Sequence, residues 1–146
     1  MSSYVNFFIK VNDSVPMVHL TDFSRSHVIY DIASTTGAPY GATKQVTAEL
    51  ARTMTELARE RLTSYEHSLA EYNEQKVLIA QFNNSVEEKL QAISEYAEII
   101  EELKEYIDET RYAEDFFMTL EMIIDDLRWT STPTHQGVYF GIEVPE

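Results

Sequence analysis

The sequence contains no cysteine, and its few glycines and prolines lie near its two ends. Without cysteine the chain can form no disulfide, no thiolate metal site and no cysteine nucleophile. All four glycines and all four prolines lie outside residues 42–132, so roughly ninety consecutive residues carry no strong breaker of secondary structure. We therefore expect strands and irregular segments only at the two ends of the chain.

Basic residues are also scarce. The chain has 25 acidic and 11 basic residues, a formal net charge of −14. This balance argues against direct nucleic-acid binding, which needs a basic face, and against docking on anionic lipid. No apolar run approaches the roughly 18–20 residues of a membrane span, and the first residues lack the pattern of a signal peptide. We expect a cytoplasmic protein that forms a single domain over residues 1–146.

Catalytic motifs are missing as well. The sequence has no Gly-x-Gly-x-x-Gly, P-loop, Gly-x-Ser-x-Gly or His-Glu-x-x-His pattern. Its four histidines are scattered, and none follows a glutamate at the spacing that di-iron bundles use. His67 can share a helical face with Glu71 and Glu74, but such a set is typical of a solvated surface. We predict no enzyme, no cofactor and no metal site.

The middle of the chain has the period of amphipathic helices, with apolar residues three and four positions apart. Asn83 and Asn84 can end a helix, and Ser85 with Glu88 can form a capping box for the next. We predict helices at about 44–82 and 86–129, joined by a turn near 83–85 into an antiparallel hairpin. The alternative is one unbroken helix. The predicted apolar stripe of the second helix comprises Val86, Leu90, Ile93, Ala97, Ile100, Leu103, Ile107, Phe117, Leu120, Ile124 and Leu127.

The two ends have the period of strands. Apolar residues recur at every second position from Val5 to Val11, at Val18 and Leu20, and from Val138 to Val144, which predicts half-buried strands. The turn Asn12-Asp13-Ser14 follows the first run. Pro16 should place the second strand at an edge of the sheet or shorten it. A short helix is expected after Ser24. The predicted fold class is α+β and mostly α, with a long coiled-coil-like hairpin (43–130) projecting from a small antiparallel β-rich base (1–42 and 131–146).

Two features of the hairpin predict contact with a partner. Acidic side chains cluster on the second helix, and apolar side chains lie beside the predicted turn, where we expect only part of them to close the turn itself. The simpler interpretation of the acidic cluster is a surface that is only solvated. The functional interpretation is a surface that binds a basic partner. The residues predicted to bind a partner are Glu98, Glu101, Glu102, Glu105, Asp108, Glu109, Leu78 and Phe82.

A separate candidate for ligand binding is the segment Ser24, Arg25, Ser26 and His27. If Ser24 caps the short helix, free backbone N–H groups would point at an anion, and Arg25 would add a guanidinium. The simpler interpretation is an ordinary capped helix in which Arg25 pairs with Asp22 or Asp31.

These features favour a non-enzymatic interaction module that works as a homo-oligomer, in a four-helix arrangement, and binds a protein with a basic surface. Small acidic chains of this kind suit a phage or mobile element that inhibits a nucleic-acid-handling host protein. One alternative is a protein that sequesters an anionic metabolite or nucleotide at Ser24–His27. Another is a structural subunit of a larger assembly.

Overall fold

The computed structural model describes residues 3–81, 85–127 and 135–145. In chain order they form β1 (Tyr4–Lys10), β2 (Val18–Ser24), α1 (Val28–Thr35), β3 (Lys44–Val46), α2 (Ala48–Gln81), α3 (Val86–Leu127) and β4 (Gly137–Ile142). The long helices α2 and α3 pair antiparallel, and the strands form one antiparallel sheet, so the predicted α+β fold class is confirmed.

The sheet joins the two ends of the chain. Its strand order is β2-β1-β4-β3, and every neighbouring pair is antiparallel. Val5 pairs with Ile142, and Phe7 pairs with Phe140, so the N-terminal and C-terminal strands lie side by side at the centre. Strand β2 is at an edge, as Pro16 predicted. A bulge in β2 shifts its register opposite Phe7 and Phe8.

One strand was not predicted. We expected a helix from about residue 44, but Lys44–Val46 forms β3 and α2 begins at Ala48. Thr47 ends the extended stretch, because its Oγ1 accepts a hydrogen bond of 3.0 Å from the backbone N–H of Leu50. Val46 is buried and pairs with Val138 in the sheet. Three residues are too few to display a period of two, so the pattern was not visible.

The helical hairpin is long and has the predicted direction reversal. Helix α2 has 34 residues and α3 has 42, or about 51 and 63 Å. The Tyr65 and Tyr106 rings stack with centroids 5.7 Å apart, and those of Tyr72 and Tyr96 lie 5.8 Å apart. The Ser85 cap is confirmed, since its Oγ accepts a 3.2 Å hydrogen bond from the backbone N–H of Glu88. The predicted turn residues Asn83 and Asn84, and the predicted end of the second helix at 128–129, lie outside the described residues.

The core lies where the sheet meets α1 and the base of the hairpin. Helix α1 contributes Ile29, Ile32 and Ala33. In α2 only the residues up to Ala58 are buried, and in α3 the buried residues begin at Ile100. The described part of the hairpin between these limits is outside the core. The fully buried large side chains are Phe7, Phe117, Phe140, Ile29, Ile32, Met54, Leu120, Ile142, Val5, Val46, Val138 and Thr55.

Candidate functional site

The acidic residues predicted to bind a partner form an exposed face on α3. Glu98, Glu101, Glu102, Glu105 and Asp108 are all exposed to solvent. The nearest basic partner is Lys104, whose Nζ lies 3.4 Å from Glu101 in an ion pair that is itself exposed. One such pair stabilises by less than about 1 kcal/mol. We call these five residues the acidic face.

Glu109 has a different position from the other predicted acids. Its side chain turns toward α1, where Oε1 accepts a 2.7 Å hydrogen bond from the backbone N–H of Val28. The same oxygen lies 3.5 Å from Nδ1 of His27. Val28 is the first residue of α1, and the start of a helix favours a negative charge. Glu109 therefore belongs to the contact between α3 and α1 and not to the acidic face.

The segment Ser24–His27 is a turn between β2 and α1, and the predicted cap is wrong. Ser24 is the last residue of β2, and its carbonyl accepts a 2.9 Å hydrogen bond from the N–H of His27. His27 is the N-cap of α1, because its Nδ1 accepts a 3.0 Å hydrogen bond from the N–H of Ile29. The hydroxyls of Ser24 and Ser26 bond to each other at 3.0 Å.

The ionisation of His27 follows from this geometry. Burial lowers its pKa below the ordinary value of 6.5, and the nearby Glu109 carboxylate opposes that shift. The neutral ring suits its position, because Nδ1 can accept the Ile29 N–H only when it carries no proton. The first two N–H groups of α1 are thus bonded to side chains of the same chain and are not free to bind an anion. Ligand binding at Ser24–His27 stays a prediction, but it cannot use these two backbone donors.

A small pocket of about 240 Å³ opens beside this turn. Two arginines reach it, and Arg61 forms an ion pair with Asp31 on α1. The stacked rings of Tyr65 and Tyr106 form one wall of the pocket. The hairpin register brings these two rings together. The pocket itself could not be predicted from the sequence, because it also depends on where α1 packs. His19 and His135 are not among the residues that line this pocket. The lining residues are Arg25, Ser26, His27, Val28, Asp31, Arg61, Tyr65, Tyr106 and Glu109.

The far end of the hairpin exposes large apolar side chains. Val77 is 59% exposed, Val86 73% and Leu90 62%, and Leu78 is exposed as well. We call Val77, Leu78, Val86 and Leu90 the apolar tip. Phe82, predicted to belong here, lies outside the described residues. Because these apolar side chains are exposed to solvent, they are available for contact with another chain.

Among residues 3–81, 85–127 and 135–145, no group of three or more His, Asp and Glu side chains is arranged to hold a metal ion. None of the helices in the same part of the chain combines the length and the apolar character that crossing a membrane requires. Comparisons of the chain with protein-family models, with curated proteins and with solved structures find no match. Function must therefore be inferred from the geometry of the chain itself.

Proposed function

We propose that this protein is a non-enzymatic interaction module whose helical hairpin binds a basic protein surface. The observation that carries the proposal is the apolar tip, where Val77, Val86 and Leu90 are all more than half exposed at the end of the hairpin farthest from the core. These side chains contribute little to the fold in the free chain. Burying them against a partner would stabilise a complex, because apolar surface gains about 25 cal/mol for each Å² removed from water.

The negative charge around the apolar tip favours a basic partner. Residues 62–106, which include the distal half of the hairpin, contain ten acidic and three basic residues. Glu87 and Glu88 directly follow Val86, and the acidic face continues along α3. A partner with basic residues around an apolar patch matches this arrangement, and the long-range attraction would speed its encounter with the hairpin. The nucleic-acid groove of a DNA- or RNA-handling protein has that charge.

Affinity capture with matched variants tests the proposal. The baits are the wild-type chain, the triple variant Glu101→Lys, Glu102→Lys, Glu105→Lys, and the tip variant Val77→Ser, Val86→Ser, Leu90→Ser. A control with the same change in net charge replaces Glu49, Glu56 and Glu60 on α2 by lysine. We expect a basic protein that the wild type and the control retain and both hairpin variants lose, with binding that weakens as salt rises.

Circular dichroism must show unchanged helix content in every bait, since these side chains lie outside the core. A protein that all four baits capture equally would contradict the proposal. So would a partner whose retention is independent of salt concentration and of the acidic face.

The alternative of an anionic ligand at Ser24–His27 has narrower support. Arg25 and Arg61 both line the pocket beside that turn, and a guanidinium suits phosphate or carboxylate. The same pocket holds the carboxylates of Asp31 and Glu109, which would repel an anion. Thermal-shift screening against nucleotides separates the two functions, because a rise of several degrees that disappears in Arg25→Ala would favour the ligand.

A further inference from the structure

The outer edge of β2 is the longest strand edge that the described chain leaves open. β2 has seven residues, whereas β3 at the opposite edge of the sheet has three. Within residues 3–81, 85–127 and 135–145, no other strand pairs with the outer side of β2. An open edge of this length presents a row of backbone donors and acceptors to any strand that approaches it.

The side chains of β2 do little to block such an approach. Natural edge strands are commonly protected by lysine or proline, and Val18–Ser24 contains neither. The only formal charge in the strand is Asp22, whose carboxylate lies 3.4 Å from the His19 ring. The bulge opposite Phe7 and Phe8 bends the strand in one place, yet Thr21–Ser24 pairs regularly with β1.

Apolar side chains are exposed along and beside this edge. Val18 is 54% exposed and Leu20 is 40% exposed, although their alternation in the sequence predicts half-buried positions. Helix α3 contacts β2 at the other end of the strand, where the Phe23 ring packs against Tyr112 and Phe116. Three more exposed apolar residues, Val11, Val15 and Met17, lie in the connection between β1 and β2. We call these five residues the edge patch, and an apolar surface of this kind on a free monomer is unusual.

Charge decides which partner fits the edge patch. Residues 1–46, which contain β1 and β2, have three basic and three acidic residues. Residues 47–130, which contain the hairpin, have 20 acidic and 8 basic residues. Two copies of the chain would repel each other along their hairpins, but they can approach at the neutral part of the base. The acidic surroundings of the apolar tip favour a basic partner there instead.

We propose that two copies of this chain associate through the edges of their β2 strands to form a dimer. Antiparallel pairing of the strand with itself satisfies a two-fold axis, buries the edge patch and converts two four-stranded sheets into one of eight strands. The four-helix arrangement expected from the sequence is not needed for this association. The hairpins remain outside the interface and free to contact another partner.

Sedimentation velocity of the full chain over a wide range of concentration tests the dimer. The wild type should show twice the monomer mass of 16.9 kDa. Val18→Lys and Leu20→Lys should each raise the dissociation constant at least about tenfold, because a charge on the edge opposes strand pairing. Val86→Lys, a change of the same kind at a more exposed position of the tip, should leave the dimer intact. Circular dichroism checks the fold of each variant.

The absence of cysteine permits a second measurement. Leu20→Cys, Thr21→Cys and Asp22→Cys are oxidised separately, and at least one should form a covalent dimer, since a residue near a two-fold axis meets its own copy within about 7 Å. Val86→Cys should not form one. A monomeric wild type, a dimer that both lysine variants preserve, or cross-linking through Val86→Cys alone would overturn the inference. Each of these results would leave the proposed binding of a basic partner by the hairpin untouched.

Discussion

Removing the Glu109 carboxylate should destabilise the fold, although Glu109 belongs to an acidic sequence in which most carboxylates are dispensable. A hydrogen bond to a charged group contributes about 1.5–3 kcal/mol, and a charge at a helix start about 0.3–1 kcal/mol. The Glu109 side chain is 27% exposed, so solvent screens part of this interaction. We expect Glu109→Ala to lower the free energy of unfolding by about 1.5–2.5 kcal/mol.

Glu109→Gln separates the charge from the hydrogen bond. Glutamine retains an oxygen that can accept the N–H of Val28 at 2.7 Å, so it should recover roughly half of the loss. Urea denaturation followed by circular dichroism measures both variants. The control is Glu102→Ala on the exposed acidic face, which should change stability by less than about 0.5 kcal/mol.

Hydrogen exchange locates the effect of these variants. If Glu109 holds the start of α1, the amides of Val28 and Ile29 should lose protection in Glu109→Ala before those of the hairpin. The reasoning is refuted if Glu109→Ala is as stable as Glu102→Ala. It is refuted equally if α1 keeps its protection while stability falls.

Two further predictions concern the base of the molecule. Gly141→Ala should destabilise the fold by about 3 kcal/mol or more in urea denaturation, because its Cβ would meet the backbone oxygen of Ala42 at 2.0 Å. Gly41→Ala, with open space around the added carbon, should lose less. The partly buried His27 should make stability fall as pH drops below about 6.5, since the unfolded chain then takes up a proton that the folded ring resists. His27→Asn retains an oxygen that can cap α1, and it should remove the loss of stability below about pH 6.5. An unchanged dependence of stability on pH would show that His27 does not cause it.

Much of the fold could be predicted because its signals are local. The three- and four-residue spacing gave the long helices, the alternation gave β1 and β4, and Ser85 caps α3 through Glu88 as expected. The short strand β3 was hidden, since Val46 is buried by a distant strand and not by a local pattern. The alternation at Val18 and Leu20 predicted partial burial, but the helices do not cover that edge.

The candidate sites were harder to predict, because they depend on which elements meet in space. Glu105 and Glu109 lie four residues apart on the same acidic helix, yet only Glu109 accepts a hydrogen bond from the first N–H of α1. Serine is a common N-cap, but Ser24 ends β2 and the turn places His27 at the cap of α1. The Glu109 contact arises from the packing of α1 against α3, and it joins Val28 and Glu109, which are 81 residues apart along the chain.

The distribution of burial separates the surfaces that maintain the fold from those available to partners. The core of the described chain ends at Ala58 in α2 and at Ile100 in α3, so the hairpin beyond it can change sequence at little cost to stability. The apolar tip lies beyond these limits, and the acidic face lies mostly alongside Ile100 and Ile107 but is exposed to solvent, so neither surface contributes to the core. The neutral edge of β2 lies on the base and differs from the hairpin in charge. The two proposals therefore use separate surfaces, the dimer the edge of β2 and the basic partner the hairpin.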